Sequence, residues 1–356
     1  MKPFSEEFTN IQTWIKSKKA PNFNNIAKVL NRKAPDRPTL FEFIISNESI
    51  VDALTSEIEY NPQDPNWECK RFVDAYHIAG YDYACVRSPS FHFATGKRHR
   101  KSTISLNDGH VIYDRQSFNN YKWMDPEAAD YTWLDEMQTY MPDGMKLVVP
   151  GPDGVFEIVV KLVGYDNLCF MLYDEPELAQ DLFNEVGSRC RRYYELCAKH
   201  EAVGAIMADD DWGFKTQTLL SVEQMKEYVL PWHKKIAETA HKAGKPVILH
   251  SCGNLKGVID IVIDDIKYDG WHSFEDAILP VEDAYEKYGS RIAILGGIDV
   301  DFLCRSTPEE VYNRSCAILE RSRERGGYGL GSGNSIPDYV PIANYLSMIA
   351  AAVFNR

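Results

Sequence analysis

The chain has 356 residues, of which 44% are hydrophobic and 26% are charged. This composition is typical of a folded globular protein and excludes collagen-like, coiled-coil and largely disordered chains. With 39 basic and 52 acidic residues the formal charge is −13, which argues against a general nucleic-acid binder.

The ends and the cysteines of the chain indicate a cellular compartment. The first residues lack the apolar run of a secretory signal, and the longest apolar stretch near the end, Tyr345 to Phe354, is too short to span a bilayer. The eight cysteines are scattered, and none forms a CxxC pair. We therefore expect a cytoplasmic protein, without a membrane role, whose thiols are reduced.

The order of the predicted elements indicates the fold. Residues 1–38 read as a helical extension, after which strand-like and helical segments alternate. The predicted strands are Leu40–Ile45, Tyr83–Val86, Lys146–Val149, Ala205–Asp209, Val247–His250, Gly270–Phe274, Ile292–Leu295 and Tyr328–Leu330. The longer predicted helices are Glu175–His200, Val222–Ala243, Val281–Tyr288, Pro308–Arg325 and Pro341–Phe354. This rhythm predicts a single α/β domain over 1–356, a (β/α)8 TIM barrel whose chemistry lies at the carboxyl ends of the strands.

Two features of the first third depart from a plain barrel. Glu42 lies among apolar residues of the first predicted strand, where a carboxylate is costly unless paired; it is a catalytic candidate, with a structural salt bridge as the equal alternative. Residues 87–115 interrupt the rhythm, and the Asn-Asp-Gly turn at 107–109 predicts a β-hairpin insertion. The basic run 97–101 within it is interpreted as a solvated face, or as a docking patch for an acidic partner.

Three consecutive acids, Asp209, Asp210 and Asp211, end the fourth predicted strand and precede Trp212. Buried together they would be costly, so at least one should titrate unusually or meet a cation. We predict that Asp210 points inward as the catalytic acid, and that Asp209 and Trp212 contact substrate.

His250 and Cys252 end the fifth predicted strand. Because side chains alternate along a strand, the two should point the same way, and an imidazole and a thiolate are good zinc ligands. The alternative is a satisfied core histidine beside a buried thiol. After the next predicted strand, Glu275 is the predicted third ligand, with His272 as the other option and helix capping as the competing use of Glu275.

The last two strand ends add polar groups to the predicted mouth. Asp299 follows a Gly-Gly pair and is a candidate catalytic residue or a helix cap. The glycine-rich string at 329–334 is not a dinucleotide site, since only 22 residues follow Asn334. It predicts instead a turn that lines the mouth, with Ser332 and Asn334 contacting substrate.

Taken in order, the strings DDDWG, LPWHKKI, ILHSCGN, YGSRIAILGGIDVDFL and GYGLGSGN resemble the uroporphyrinogen decarboxylase superfamily over roughly residues 140–356. That superfamily is a (β/α)8 barrel. Its decarboxylases carry an arginine-bearing loop of the type RQAGRY after the first strand, where this chain reads Ile44 to Ser49 without arginine. A substrate with many carboxylates needs such cations, so the departure argues against porphyrin chemistry.

The resemblance to the cobalamin-dependent methyltransferase and O-demethylase branch is stronger. Its HxC string carries two zinc ligands, and His250 and Cys252 occupy those positions. Thiol methyltransferases of the branch have a further cysteine near the last strand, where this chain has Ser332, whereas a related methionine synthase has a glutamate close to the position of Glu275. The resemblance implies a Zn²⁺-dependent methyltransferase that moves a methyl group from a small donor, such as a methoxy-aromatic compound, to a corrinoid protein or a thiol acceptor.

Two alternatives stay open at this point. The first is a metal-free decarboxylase of a tetrapyrrole or another polycarboxylate. The second is a barrel that binds a corrinoid or a small ligand without catalysis. Barrels of this superfamily often pair, which makes a homodimer an expectation.

Overall fold

The computed structural model describes residues 1–17, 20–87, 90–96 and 105–355. Within these ranges the chain forms one curled sheet of seven parallel strands in sequential order, surrounded by helices. The strands are β1 (Tyr83–Cys85), β2 (Lys146–Pro150), β3 (Val203–Asp209), β4 (Val247–His250), β5 (Gly270–His272), β6 (Ala293–Leu295) and β7 (Tyr328–Gly329). Their bounds agree with the predicted strands within two residues at each end, because parallel strands buried on both faces read as short apolar runs.

The eighth predicted strand, Leu40–Ile45, is only partly a strand. It meets the last strand region through two isolated parallel bridges, Leu40 to Leu330 and Ile45 to Ile336. On its other side the Tyr83 hydroxyl replaces strand pairing, since it accepts from the Glu42 amide at 2.6 Å and donates to the Glu42 carbonyl at 2.7 Å. A side chain therefore closes the TIM-barrel-like sheet where the sequence predicted a regular strand.

The helices alternate with the strands, as right-handed βαβ units require. They are α1 (Ile11–Lys16), α2 (Asn24–Leu30), α3 (Glu48–Leu54), α4 (Trp67–Ala79), α5 (Arg115–Asn120), α6 (Thr132–Tyr140), α7 (Val155–Val163), α8 (Tyr165–Asp174), α9 (Pro176–Cys197), α10 (Val222–Gln224), α11 (Leu230–Lys242), α12 (Ile259–Ile261), α13 (Val281–Tyr288), α14 (Val300–Arg305), α15 (Pro308–Ser322) and α16 (Ile342–Val353). Short 3₁₀ turns lie at Glu6–Thr9 and Pro126–Ala128, and π turns at Met225–Val229 and Val262–Ile266.

Local sequence explains where several helices begin and bend. The side chains of Thr307 and Glu310 bond each other's backbone amides at the start of α15, which is a capping box. The predicted helix 222–243 is interrupted by the π turn that precedes Pro231. Proline has no amide hydrogen, so the regular ladder of helical hydrogen bonds cannot continue through it.

Helix α2 and the residue before it cover the end of the barrel at which the strands begin. A Cβ added to Gly204 at the start of β3 would lie 2.4 Å from the Phe23 ring, and one added to Gly270 at the start of β5 would lie 2.8 Å from Leu30. These contacts place α2 against the amino ends of the strands. The open end of the barrel is therefore the carboxyl end, where the predicted site residues lie.

The predicted hairpin is not formed by the residues that can be described. Thr103 and Ile104 lie outside the described residues, as does the basic run 97–101. The second predicted arm is not a strand, because the Val111 and Ile112 amides both donate to the Leu162 carbonyl, at 2.8 and 2.9 Å. That carbonyl belongs to the last turn of α7 and has no partner within its own helix. Within the ranges given above, no helix is long and apolar enough to cross a bilayer.

Candidate metal centre

The register of the parallel strands places the candidate ligands in one layer. Asp209 of β3 pairs with His250 of β4, which pairs in turn with His272 of β5. Two residues further along, Asp211 and Cys252 follow on the same side, because strand side chains alternate with a period of two. The carboxyl edge of β3 and β4 therefore presents an acid, an imidazole and a thiol together.

Asp211, His250 and Cys252 form a cluster of three donor groups that we call the metal cluster. One donor atom from each lies within 4.8 Å of the other two. His250 Nε2 is 3.7 Å from Cys252 Sγ and 3.8 Å from Asp211 Oδ1. A tetrahedral zinc ion with bonds of about 2.1 Å to nitrogen or oxygen and 2.3 Å to sulfur separates its ligands by roughly 3.3–3.7 Å. The two separations from His250 Nε2 lie at the upper end of this range or just above it.

His250 carries a free lone pair toward this cluster. Its imidazole is buried, and burial together with the positive charge of Arg87 lowers its pKa to about 3, so the ring is neutral. Phe43 packs against it with ring centroids 4.1 Å apart. The other nitrogen, Nδ1, lies 2.7 Å from His272 Nδ1. A neutral imidazole with one nitrogen engaged is the usual state of a histidine metal ligand.

Cys252 is surrounded by groups suited to a coordinated sulfur. Asn334 Nδ2 donates to its Sγ at 3.3 Å, and Ser273 Oγ lies 3.7 Å from the same atom. Burial and the neighbouring Asp211 carboxylate raise the pKa of the thiol. A divalent cation reverses this preference, since a coordinating thiol is deprotonated. The residues of the cluster therefore fit a thiophilic cation such as zinc.

The structure corrects the predicted orientation of the three acids. Asp210 points to the outer side of the barrel wall, where its carboxylate accepts from the Phe156 and Glu157 amides at 3.0 and 2.9 Å. It also lies 2.8 Å from His233 Nε2, and its side chain is fully buried. The predicted register is wrong by one residue, because the strand alternation that turns His250 inward turns Asp210 outward. Asp210 caps helix α7 instead of facing the mouth.

Asp209 faces inward but is occupied by protein groups. It accepts from the Gly151 amide at 2.8 Å and pairs with Arg87 Nη2 at 2.7 Å. Burial raises its pKa to about 7, although Arg87 opposes the shift. Arg87 also contacts Asp153 at 3.2 Å, so two carboxylates engage its charge. Sequence reasoning did not identify Arg87, whose position after β1 was the available signal.

Two predicted residues, Glu275 and Asp299, lie beside the metal cluster and not in it. Glu275 is not one of the three clustered groups, and its role as the third ligand stays a prediction. Glu275 and Asp299 line a cleft of about 530 Å³ together with Asn334 and Tyr339. Asp299 caps α14 by accepting from the Phe302 amide at 3.1 Å, and it accepts from the Asp276 amide at 2.7 Å. The capping alternative for Asp299 therefore holds, and its catalytic role stays a prediction.

The remaining predicted residues pack around the cluster. Trp212 is fully buried and meets the His233 ring edge-on, with centroids 4.7 Å apart, so it lies behind the mouth. Ser332 is also fully buried, and its hydroxyl lies 2.7 Å from Glu42. Burial raises the pKa of Glu42 to about 8. The Ser332 hydroxyl therefore contacts Glu42, and Ser332 does not belong to the metal cluster.

Comparison with known proteins identifies the family. Residues 151–353 match the family described as uroporphyrinogen decarboxylase (URO-D), which is more than half of the chain. The chain belongs to the URO-D family. The predicted resemblance is therefore confirmed.

Proteins similar in sequence to this chain differ in their named activities. A methylated-thiol–coenzyme M methyltransferase of Methanosarcina mazei is 26% identical over 63% of this chain and 62% of its own. A methylcobamide:CoM methyltransferase of Methanosarcina acetivorans is 30% identical over 38% of each chain. A uroporphyrinogen decarboxylase of Anaeromyxobacter dehalogenans is 26% identical over 60% of each. The alignments thus span about three fifths or less of these relatives.

The solved structure of a methyltransferase from Methanosarcina mazei shares the fold. It superposes with a TM-score of 0.68 over 94% of this chain and 98% of that one, at 14% sequence identity. At this identity the likeness concerns the fold alone. It supports the TIM-barrel-like architecture derived above.

Proposed function

We propose that this URO-D family protein is a zinc-dependent methyltransferase that moves a methyl group between a small substrate and the corrinoid cofactor of a partner protein. The observation that carries the proposal is the metal cluster, whose three donor atoms lie within 4.8 Å of one another at the carboxyl edge of the barrel. The relatives named as coenzyme M methyltransferases support the same activity. The tetrapyrrole decarboxylases of the family work without a metal, so a zinc-type donor set favours methyl transfer.

Asp211, His250 and Cys252 would hold the ion. Two anionic ligands and one neutral ligand balance the charge of a divalent cation and leave a fourth tetrahedral position for substrate. Bound there, zinc would supply Lewis acidity that activates a substrate thiol or stabilises the charge on a leaving oxygen. The neutral state of His250 and the hydrogen bond from Asn334 to Cys252 prepare two of the three protein ligands before substrate arrives.

The cleft beside the cluster is the proposed entry for the small substrate. Asn334 both lines this cleft and donates to Cys252, so a ligand in the cleft lies next to the metal position. Tyr339 is 71% exposed and offers an aromatic wall at the rim, as a methoxy-aromatic donor would need. Asp211 is the outermost ligand, with 44% of its side chain exposed. This leaves the cluster open toward a docking corrinoid protein.

An anaerobic assay tests the proposal. Zinc-loaded protein is mixed with methylcobalamin and coenzyme M, or with cob(I)alamin and a methoxybenzoate, and the corrinoid spectrum reports methyl transfer. We expect turnover in one of the two mixtures, and loss of both turnover and zinc in Cys252→Ala. Cys316→Ala removes a thiol on α15 and serves as the matched control. Wild-type protein without bound zinc, or Cys252→Ala with as much zinc as wild type, contradicts the proposal.

Decarboxylation is the second candidate, because the family is named for it and a decarboxylase is among the relatives. A polycarboxylate substrate requires available cations at the mouth. Arg87 lies there, but Asp153 and Asp209 engage it. Release of carbon dioxide from uroporphyrinogen by metal-free protein would favour this second activity over methyl transfer.

A further inference from the structure

The turn at Ser332–Asn334 is linked by hydrogen bonds to two of the proposed metal ligands, His250 and Cys252. The Ser332 carbonyl lies 3.0 Å from His272 Nε2, and His272 contacts His250. Two residues later the Asn334 amide donates to Cys252 Sγ at 3.3 Å. The position of this one turn therefore influences both His250 and Cys252.

The histidine contacts fix the direction of their hydrogen bonds. A carbonyl oxygen only accepts, so His272 Nε2 must carry a hydrogen. An imidazole ring that carries a single hydrogen, here on Nε2, has a lone pair at Nδ1. The Nδ1 of His250, 2.7 Å away, must then donate. That leaves His250 Nε2 as the lone pair that faces Asp211 and Cys252.

Glu42 holds the turn through a second set of hydrogen bonds. The Ser332 hydroxyl lies 2.7 Å from Glu42 Oε1 and 2.6 Å from the Asn334 carbonyl, and its single hydrogen can point to only one of them. Because the carbonyl cannot donate, the short contact with Oε1 is satisfied when Glu42 carries a proton and donates to Ser332. The other oxygen, Oε2, accepts from the Ser332 amide at 3.1 Å.

We propose that Glu42, as a neutral carboxylic acid, is a positioning residue that orients the outer hydrogen-bonding shell of the metal cluster through the Ser332–Asn334 turn. It touches neither the cluster nor the substrate cleft. Its own place is fixed by the Tyr83 hydroxyl, which binds both the Glu42 amide and its carbonyl. The proposal rests on the proposed metal site and adds to it the part of the protein that sets ligand orientation.

The chemistry of the contact predicts which substitutions preserve it. In Glu42→Gln the side-chain amide can donate to the Ser332 hydroxyl and its oxygen can accept from the Ser332 amide, as the protonated acid does, and only the long 3.3 Å bond that Oε1 accepts from the Phe43 amide is lost. Glu42→Ala and Glu42→Met remove both bonds, and the methionine keeps most of the volume. His272→Phe removes the acceptor that orients His250 while keeping a ring in place.

The test is a Co²⁺ titration of metal-free full-length protein, followed by its thiolate-to-cobalt absorption band and by competition with a chelator. We expect wild type and Glu42→Gln to bind within about threefold of each other with the same band. We expect Glu42→Ala, Glu42→Met and His272→Phe to bind on the order of 10- to 100-fold more weakly, as for other outer-shell changes. Far-ultraviolet circular dichroism at the titration temperature shows which variants are folded.

The outcomes separate this inference from the proposed function. If wild type shows no thiolate-to-cobalt band, the metal site itself is wrong. If wild type binds and folded Glu42→Met binds equally well, the positioning role is wrong while the site stands. If Glu42→Gln loses as much affinity as Glu42→Met, an ionised carboxylate is required, which overturns the role of the neutral acid.

Discussion

Two buried histidines, His233 and His250, lie on opposite sides of the same barrel wall and differ in what their nitrogens meet. Both nitrogens of His233 are engaged at short range, Nε2 by Asp210 at 2.8 Å and Nδ1 by the Tyr268 hydroxyl at 2.7 Å. His250 has one short contact, to His272, and its Nε2 faces a sulfur and a carboxylate at 3.7 and 3.8 Å.

This difference distinguishes a structural hydrogen-bond network at His233 from a candidate metal site at His250. The His233 network is complete, so it stabilises the junction of β3, α7 and α11 without needing a ligand. On the His250 side, Nε2 lies too far from Cys252 Sγ and Asp211 Oδ1 for strong hydrogen bonds, at separations close to those of ligands that share an ion. Asp210 belongs to the His233 network and Asp211 to the metal cluster, although the two residues are adjacent in sequence.

The largest expected effect is the loss of zinc affinity when the His250 imidazole is removed, and removal of the His233 imidazole is the comparison. His250→Ala should weaken zinc binding by more than about 100-fold, beyond the usual effect of an outer-shell change, because a direct ligand is lost. His233→Ala should leave zinc affinity within about threefold, since its ring lies on the other side of the wall. Chelator competition measures both, and a similar loss in the two variants would erase the distinction between the networks.

Substitution of Asp210 should lower stability, whereas substitution of the adjacent Asp211 should abolish metal binding. Asp210→Ala leaves two helix amides and His233 without their acceptor, so we expect the free energy of unfolding to fall by about 3 kcal/mol. Asp211→Ala removes only the acceptor of the Cys252 amide, at 2.9 Å, so it should lower the free energy of unfolding by about 1 kcal/mol while it abolishes tight zinc binding. Urea unfolding of the metal-free proteins and zinc analysis of the loaded ones measure the two effects. A greater loss of stability in Asp211→Ala would contradict the assignment.

The pH dependence of stability should report the buried acid. The pKa of Glu42 rises from its unfolded value of 4.5 to about 8 on folding. The folded state therefore holds the proton more tightly, and this contribution to stability is complete below pH 4.5 and declines as the pH rises toward 8. Relative to Glu42→Gln, wild type should lose about 1.4 kcal/mol per pH unit, or about 5 kcal/mol across this window. Parallel curves for the two proteins would show that Glu42 is already ionised when folded.

The smallest expected effect is the stabilisation of the intact protein by its ion. Zinc at about 100 times its dissociation constant should add roughly 2.7 kcal/mol to the free energy of unfolding, which raises the melting temperature by several degrees. The same addition should leave Cys252→Ala unchanged. Equal shifts in the two proteins would place the ion elsewhere on the chain.

How much of this structure the sequence predicts depends on how far apart along the chain the contacting residues lie. The seven strands were readable because each is a short apolar run, and the pairing of His250 with Cys252 follows from the two-residue period of a strand. Asp209 pairs with His250 across the strands, so the same two-residue period places Asp211 on the side that His250 faces. It therefore favours Asp211 over Asp210, and over the more distant Glu275, as the acid beside His250. The contact between Glu42 and Ser332 joins positions 290 residues apart, and no local pattern encodes it.

The departure of residues 111–113 from the predicted strand has a similar origin. An Asn-Asp-Gly turn between apolar residues is typical of a hairpin, but the amides of Val111 and Ile112 bind the carbonyl of Leu162 at the end of α7. Local turn chemistry cannot report a helix end that lies 50 residues further along the chain. Tertiary contacts decided the conformation here.

X-ray absorption at the zinc edge of the loaded protein tests the central claim most directly. The account predicts a first shell with one sulfur at about 2.3 Å and the remaining ligands nitrogen or oxygen at about 2.0–2.1 Å. The sulfur signal should be absent in Cys252→Ala. A shell with two sulfurs, or a shell without sulfur in the wild-type protein, would contradict the assignment of Asp211, His250 and Cys252 as the metal ligands.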